Sequence, residues 1–235
     1  MLRRPLRGVL TVGIAAFAAV LLTATAASAA TTVGLWHLNE PAGAHTAVDS
    51  SGFGQNGSVG SDVQTGVNYD GATAYRFPAV ADRTVARPQH IVTIPHSSRL
   101  NPGTGRWAVT IRFRTTTTHD NISQKGQGGT AGGYWKVELA KAAVRCTFKD
   151  GSGHALAIPS AQLVNDGRWH TVTCERSASA IAVTLDGVRK TRSGTLGTIA
   201  NSWEMAIGGK SRCDGVQVSC DYFTGDVDDV RVTRG

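Results

Sequence analysis

The chain has 235 residues, with 24 Lys and Arg against 17 Asp and Glu, a formal net charge of +7. Charged residues make up 17% and apolar residues 41%, which excludes a disordered polyelectrolyte and a polytopic membrane protein. Glycine and threonine abound while glutamate is confined to Glu40, Glu138, Glu175 and Glu204, which argues against a helix bundle because Gly and Thr are poor helix formers.

In chain order the first segment reads as an export signal. Arg3, Arg4 and Arg7 precede an uncharged apolar run from Val9 to Leu22, and Ala27-Ser28-Ala29 supplies the small-x-small pattern a signal peptidase reads. The run is about fourteen residues, short of the roughly twenty needed to span a bilayer. Residues 1–29 are therefore expected to be a signal peptide, and residues 30–235 a secreted single domain without membrane insertion. Removing the three arginines leaves a net charge of about +4. There is no Lys/Arg cluster interleaved with aromatics, so no nucleic-acid partner is expected.

The mature part reads as β throughout. Ile91-Val92-Thr93-Ile94 is stopped by Pro95. Trp107, Val109, Ile111 and Phe113 alternate with Ala108, Thr110, Arg112 and Arg114, a period of two that marks a half-buried strand. Trp135, Val137 and Leu139 alternate with Tyr134, Lys136 and Glu138. Ile181, Val183 and Leu185 form another strand, which Asp186-Gly187 turns back into Val188-Arg189-Lys190. Trp169, after the Asp166-Gly167 turn, reads as core or sheet-edge packing. Met205-Ala206-Ile207 is stopped by Gly208-Gly209, and Val227 to Thr233 closes the fold. Val227 is out of phase with Val230 and Val232, which predicts a bulge near Asp228. Many short strands between glycine turns over this length predict an all-β, two-sheet antiparallel jelly-roll sandwich.

Four cysteines lie in the exported part, and an even count in an oxidising compartment favours disulfides. Cys146 shares a strand face with Val144 and Phe148, and Cys174 shares one with Val172. Cys213 and Cys220 flank a turn-forming hexapeptide. The expected pairs are Cys146–Cys174 and Cys213–Cys220. A zinc site lacks CxxC pairs and nearby paired histidines.

Several segments together resemble a known family. They are Trp36-His37-Leu38-Asn39-Glu40, Asp49-Ser50-Ser51-Gly52-Phe53-Gly54, Asp166-Gly167-Arg168-Trp169-His170-Thr171-Val172, Leu185-Asp186-Gly187 and Gly225-Asp226-Val227-Asp228-Asp229-Val230-Arg231-Val232. Their order is similar to the laminin G-like jelly roll of the concanavalin A-like lectin/glucanase superfamily, over nearly all of the mature chain. The resemblance implies a lectin-like module that binds glycan or protein outside the cell, in some members through calcium.

The superfamily contains glucanases, whose catalytic pattern is Glu-x-Asp-x-(x)-Glu. Retaining glycosidases need two carboxylates about 5 Å apart. None of the four glutamates has an acidic neighbour within that pattern. Asp226 and Asp228 have a suitable spacing but fall in the closing motif. Hydrolase-elbow and His-Glu-x-x-His signatures are also missing. No catalytic residue is assigned, and the expectation is a non-catalytic binding module. A glycoside hydrolase or lyase and a structural or adhesion domain without a small ligand are the alternatives.

Sugar sites pair a flat aromatic with bidentate polar groups. The glycine-rich run after Gln124 and Lys125 leads into Tyr134, Trp135 and Lys136, and these five residues are the ligand-binding candidates. Calcium takes six to eight oxygens from loops rich in Asp and Asn. Asp49, Asn56, Asp226 and Asp228 are the candidate ligands for a calcium ion.

Overall fold

The computed structural model describes residues 1–2, 29–82, 85–213 and 220–235. Of the expected signal peptide, residues 1–29, positions 3–28 lie outside the described residues.

In chain order the strands are β1 (Thr31–Trp36), β2 (Thr46–Ala47), β3 (Gly57–Val59), β4 (Gln64–Tyr69), β5 (Ala72–Phe77), β6 (Val92–Ile94), β7 (Trp107–Arg114) and β8 (Asn121–Lys125). They continue as β9 (Tyr134–Ala140), β10 (Ala143–Lys149), β11 (Ala155–Leu163), β12 (His170–Arg176), β13 (Ala180–Leu185), β14 (Val188–Ser193), β15 (Met205–Ile207) and β16 (Gly225–Arg234). Among the described residues, helix is limited to single 3-10 turns at Pro88–His90 and Ser98–Leu100.

The first sheet runs β14-β13-β12-β7-β16-β5-β4, with β1 also paired to β16. The second runs β11-β10-β9-β8-β15-β6-β3-β2. The strand pairs are antiparallel, so the fold is the all-β jelly-roll sandwich that the alternation implies. In β7 the Trp107, Val109, Ile111 and Phe113 side chains are buried while the intervening ones are half-exposed, which is what period two produces when one sheet face meets a core.

Two of the contacts that tie the sheets together lie in the core. Trp107 of β7 packs on Trp135 of β9 with centroids 4.8 Å apart. Cys146 of β10 is bonded to Cys174 of β12, with Cα atoms 5.5 Å apart, and both are buried in the main core. Cys213–Cys220 is the second disulfide. It sits beside a separate small apolar cluster of Ile91, Ala206, Cys220 and Tyr222. Two buried indoles keep their hydrogen bonds, Trp36 Nε1 donating to the Gln55 carbonyl at 2.9 Å and Trp135 Nε1 to the Leu100 carbonyl at 3.1 Å, whereas Trp107 Nε1 is buried with no acceptor in reach among the described residues. The Asp70-Gly71 and Asp186-Gly187 turns both have positive φ at each position, the geometry that matches the twist of paired strands.

The closing strand positions the site. On one edge of β16, Val227 pairs with Phe113 and Val230 with Ile111, so Asp228 and Asp229 together oppose Arg112. This is the bulge that the phase break predicts. On the other edge, β5 pairs as far as Val227, and β1 takes over from Val230. The bulge therefore lies where one neighbour leaves and the next arrives, and the sheet opens there.

Candidate functional site: a polar trough on the outer face of the first sheet

Alternation on β1, β7, β12 and β16 sends every second side chain away from the core. Leu35, Thr110, Arg112, Thr171 and Arg231 point outward, and the bulge adds Asp228 and Asp229 to the same face. They line two hollows. One, of about 500 Å³, is bounded by His37, Asn39, Tyr69, Thr73, Arg112, Asp228 and Asp229. The other, of about 420 Å³, is bounded by Thr32, Leu35, His37, Thr110, Arg112, Thr171, Asp229 and Arg231. His37, Arg112 and Asp229 belong to both, so the hollows form one trough.

Arg112 organises it. Its guanidinium donates to Asp228 Oδ2 at 2.6 Å and also to the Tyr69 hydroxyl, which in turn donates to Asp228. The same guanidinium stands 4.5 Å from the Trp169 ring centroid and 5.0 Å from that of Tyr69. Burial, and then the bond to Asp228, pushes the Tyr69 phenol up to about 12, so it stays protonated as a donor. Trp169 and Tyr69 stack with centroids 4.4 Å apart, and Arg114 lies 5.0 Å from Trp169. Arg114 and Arg76 both hold Asp226, whose residue is 3% exposed. His37 Nδ1 meets Asp229 Oδ1 at 2.6 Å. Trp169 is thus neither core nor edge packing: it stands on the outer face, half-buried in a stack of rings and guanidinium groups. Its position next to inward-facing His170 dictates this by parity.

The glycine-rich hairpin lies on the other sheet. Gln124, Lys125 and Trp135 are buried, and Tyr134 and Lys136 are half-buried. Trp135 is part of the core. The Lys125 amino group donates to the carbonyl oxygen and Oδ1 of Asn201 at 2.9 and 3.0 Å, and burial pulls it down to about 8. Lys136 is paired to Glu138, which also receives Arg145. The glycines serve close packing: a Cβ on Gly132 would overlap the Ala200 carbonyl oxygen, and one on Gly133 the Lys149 carbonyl oxygen.

The calcium candidates are engaged elsewhere. Asp49 accepts backbone N–H groups from Leu35 at 3.0 Å, Ser51 at 2.9 Å and Gln55 at 2.8 Å. Burial pushes its carboxyl up, but the Ser51 side chain together with these backbone bonds outweighs that and holds it below the usual range. Asn56 Oδ1 accepts from the Asp49 amide at 2.8 Å. Asp226 and Asp228 are held by arginines. Among the described residues, no three His, Cys, Asp or Glu side chains gather into a metal-holding group. These carboxylates, already satisfied by amides and guanidinium groups, do not fit a calcium ion as they stand.

A family model for the laminin G domain matches residues 113–235. Among solved structures, the binding domain of Paraclostridial Mosquitocidal Protein 1 superposes with a TM-score of 0.64 at 13% identity, covering 87% of this chain and 49% of that one. The Botulinum neurotoxin serotype D binding domain gives 0.63 at 12% identity, covering 87% and 47%. The serotype G binding domain gives 0.57 at 17% identity, covering 79% and 44%. At these identities the likeness is one of fold, and the chain spans about half the length of the structures it matches. No curated protein sequence matches the chain. The match over more than half of its length, on the jelly-roll sandwich described above, shows that the chain belongs to the laminin G domain family.

Proposed function

We propose that the chain is a secreted, non-catalytic module that binds extracellular carbohydrate in the outer-face trough. Family and fold support a binding module. The observation that carries the ligand class is the lining: Arg112, Asp228, Asp229, His37 and Asn39 converge beside the Tyr69 hydroxyl. Sugar hydroxyls act as paired donors and acceptors, and such planar bidentate groups match them. Protein interfaces instead centre on buried aromatic or aliphatic anchors. The exposed large apolar residues Val48, Phe53, Val85, Leu163 and Val188 lie outside both hollows.

Two further observations support the reading. Each glutamate is engaged: Glu40 by Tyr75, Glu138 by Arg145, Glu175 by Arg189 and Glu204 by Arg212. This supports a non-catalytic role. Two disulfides support an oxidising, extracellular setting, and among the described residues no helix is long and apolar enough to cross a membrane. A glycan array probed with the wild-type domain and with Asn39→Ala and Arg231→Ala tests the proposal. Both residues are exposed, so the variants should fold. Selective glycan binding by the wild type that weakens in both variants is expected. Binding untouched by either variant, or no glycan binding at all, overturns it.

A further inference from the structure

We infer that the trough takes the interior of an oligosaccharide chain rather than a single terminal sugar. This rests on the carbohydrate reading above and deepens it. A site for a chain end is a closed pocket with a wall against which one ring stops. The trough has a different shape. Its two hollows share His37, Arg112 and Asp229 at their junction, and each opens to solvent. Thr171, Thr110, Arg231 and Leu35 lie on four successive strands, β12, β7, β16 and β1. At about 4.8 Å per strand step this part alone is about 14 Å long, and it continues to the β4–β5 turn. Each hollow by itself falls within the range of a complete small-ligand pocket, roughly 300–1,000 Å³.

The two ends also differ in chemistry. The hollow at the β4–β5 turn is lined by two carboxylates, an amide, an imidazole and a phenol. The hollow over β12 offers the side of Leu35, the methyl and hydroxyl groups of Thr32, Thr110 and Thr171, and the Arg231 guanidinium. A chain lying across both would meet hydroxyl-binding groups at one end. At the other it would meet an apolar strip beside the Arg231 guanidinium, with His37, Arg112 and Asp229 at the shared junction between the two. That asymmetry fixes chain direction, which a site for one sugar does not require.

The test uses an array printed with each glycan backbone as mono- to hexasaccharide. It is probed with the wild type and with two blocking variants, Ala72→Trp at the turn end and Thr171→Trp at the far end. Both positions are exposed strand residues. Thermal melts of both variants report whether they fold, and Ala72→Leu and Thr171→Leu give milder blocks if they do not. Wild-type affinity should climb with chain length. Each block should cut hexasaccharide binding at least about ten-fold, while one of the two leaves disaccharide binding within about two-fold. Equal binding of monosaccharide and hexasaccharide overturns the chain reading but leaves the carbohydrate reading intact. So does loss of all binding in one variant with none in the other. Absence of binding at every chain length overturns both.

Discussion

Removing the bridge between the sheets gives the most quantitative prediction of the fold. Cys146→Ala combined with Cys174→Ala deletes a disulfide that spans 28 residues of chain and ties β10 in one sheet to β12 in the other. For a closed loop of that length the chain-entropy relation gives about 3.5 kcal/mol at 25 °C. Both residues are at most 1% exposed, so the alanines add a small packing loss to the entropic one. For a domain of this size about 1 kcal/mol moves Tm by roughly 2–4 °C, so a fall of about 7–14 °C is expected. The assay is calorimetry plus guanidinium denaturation of the double variant, with circular dichroism to confirm the strands. Removing Cys213–Cys220 is the internal control. Its cysteines are only 7 residues apart, for which the same relation gives about 2 kcal/mol. A loss below about 1 kcal/mol for the first pair, or a larger loss for the second, would refute the assignment of the sheet-to-sheet bridge as the main covalent brace.

Other outcomes follow from single side chains. Lys125 titrates near 8 in the fold, below its ordinary value, so its charged form is disfavoured there. Stability should therefore rise as pH climbs from about 8 toward 10, and Lys125→Met should flatten that rise in pH-dependent denaturation curves. The Asp150 carboxylate accepts from Ser152, His154 and Gly197, led by the Ser152 hydroxyl, and these bonds lower it to about 2. Its contribution is present above the unfolded value near 4 and lost as pH falls toward 2, so Asp150→Asn should remove part of the acid transition seen by circular dichroism. Gly132→Ala should destabilise by about 1–3 kcal/mol in denaturant titrations, because the new Cβ meets backbone and the residue has φ of +83°. An unchanged midpoint would show that the hairpin is looser than its packing implies.

The fold was legible because alternation survives wherever one face is buried. The β7 pattern, the Asp186-Gly187 hairpin and the cysteine parity each pointed to their partners. The slip between Val227 and Val230 marked the bulge. The trough was not legible, because it draws residues from β1, the β4–β5 turn, β7, β12 and β16, which only the sheet order brings together. Alternation puts Arg112 and Arg114 on the outward side of their strand, but sequence spacing does not reveal that Tyr69 and Trp169 come to lie against them. The glycine-rich run from Gly126 to Gly133 was legible only as a polar segment leading into two aromatics. Its glycines are there because the backbones of Ala200 and Lys149 pass too close for a side chain.

The most direct test of where the ligand sits is chemical-shift mapping by NMR. The isotope-labelled domain would be titrated with the soluble oligosaccharide that the array ranks highest. The trough predicts shifts confined to Leu35, His37, Asn39, Tyr69, Thr110, Arg112, Thr171 and Asp229, with the Trp169 indole moving alongside. Shifts centred on the hairpin from Gln124 to Lys136, with the outer face of the first sheet silent, would contradict the account.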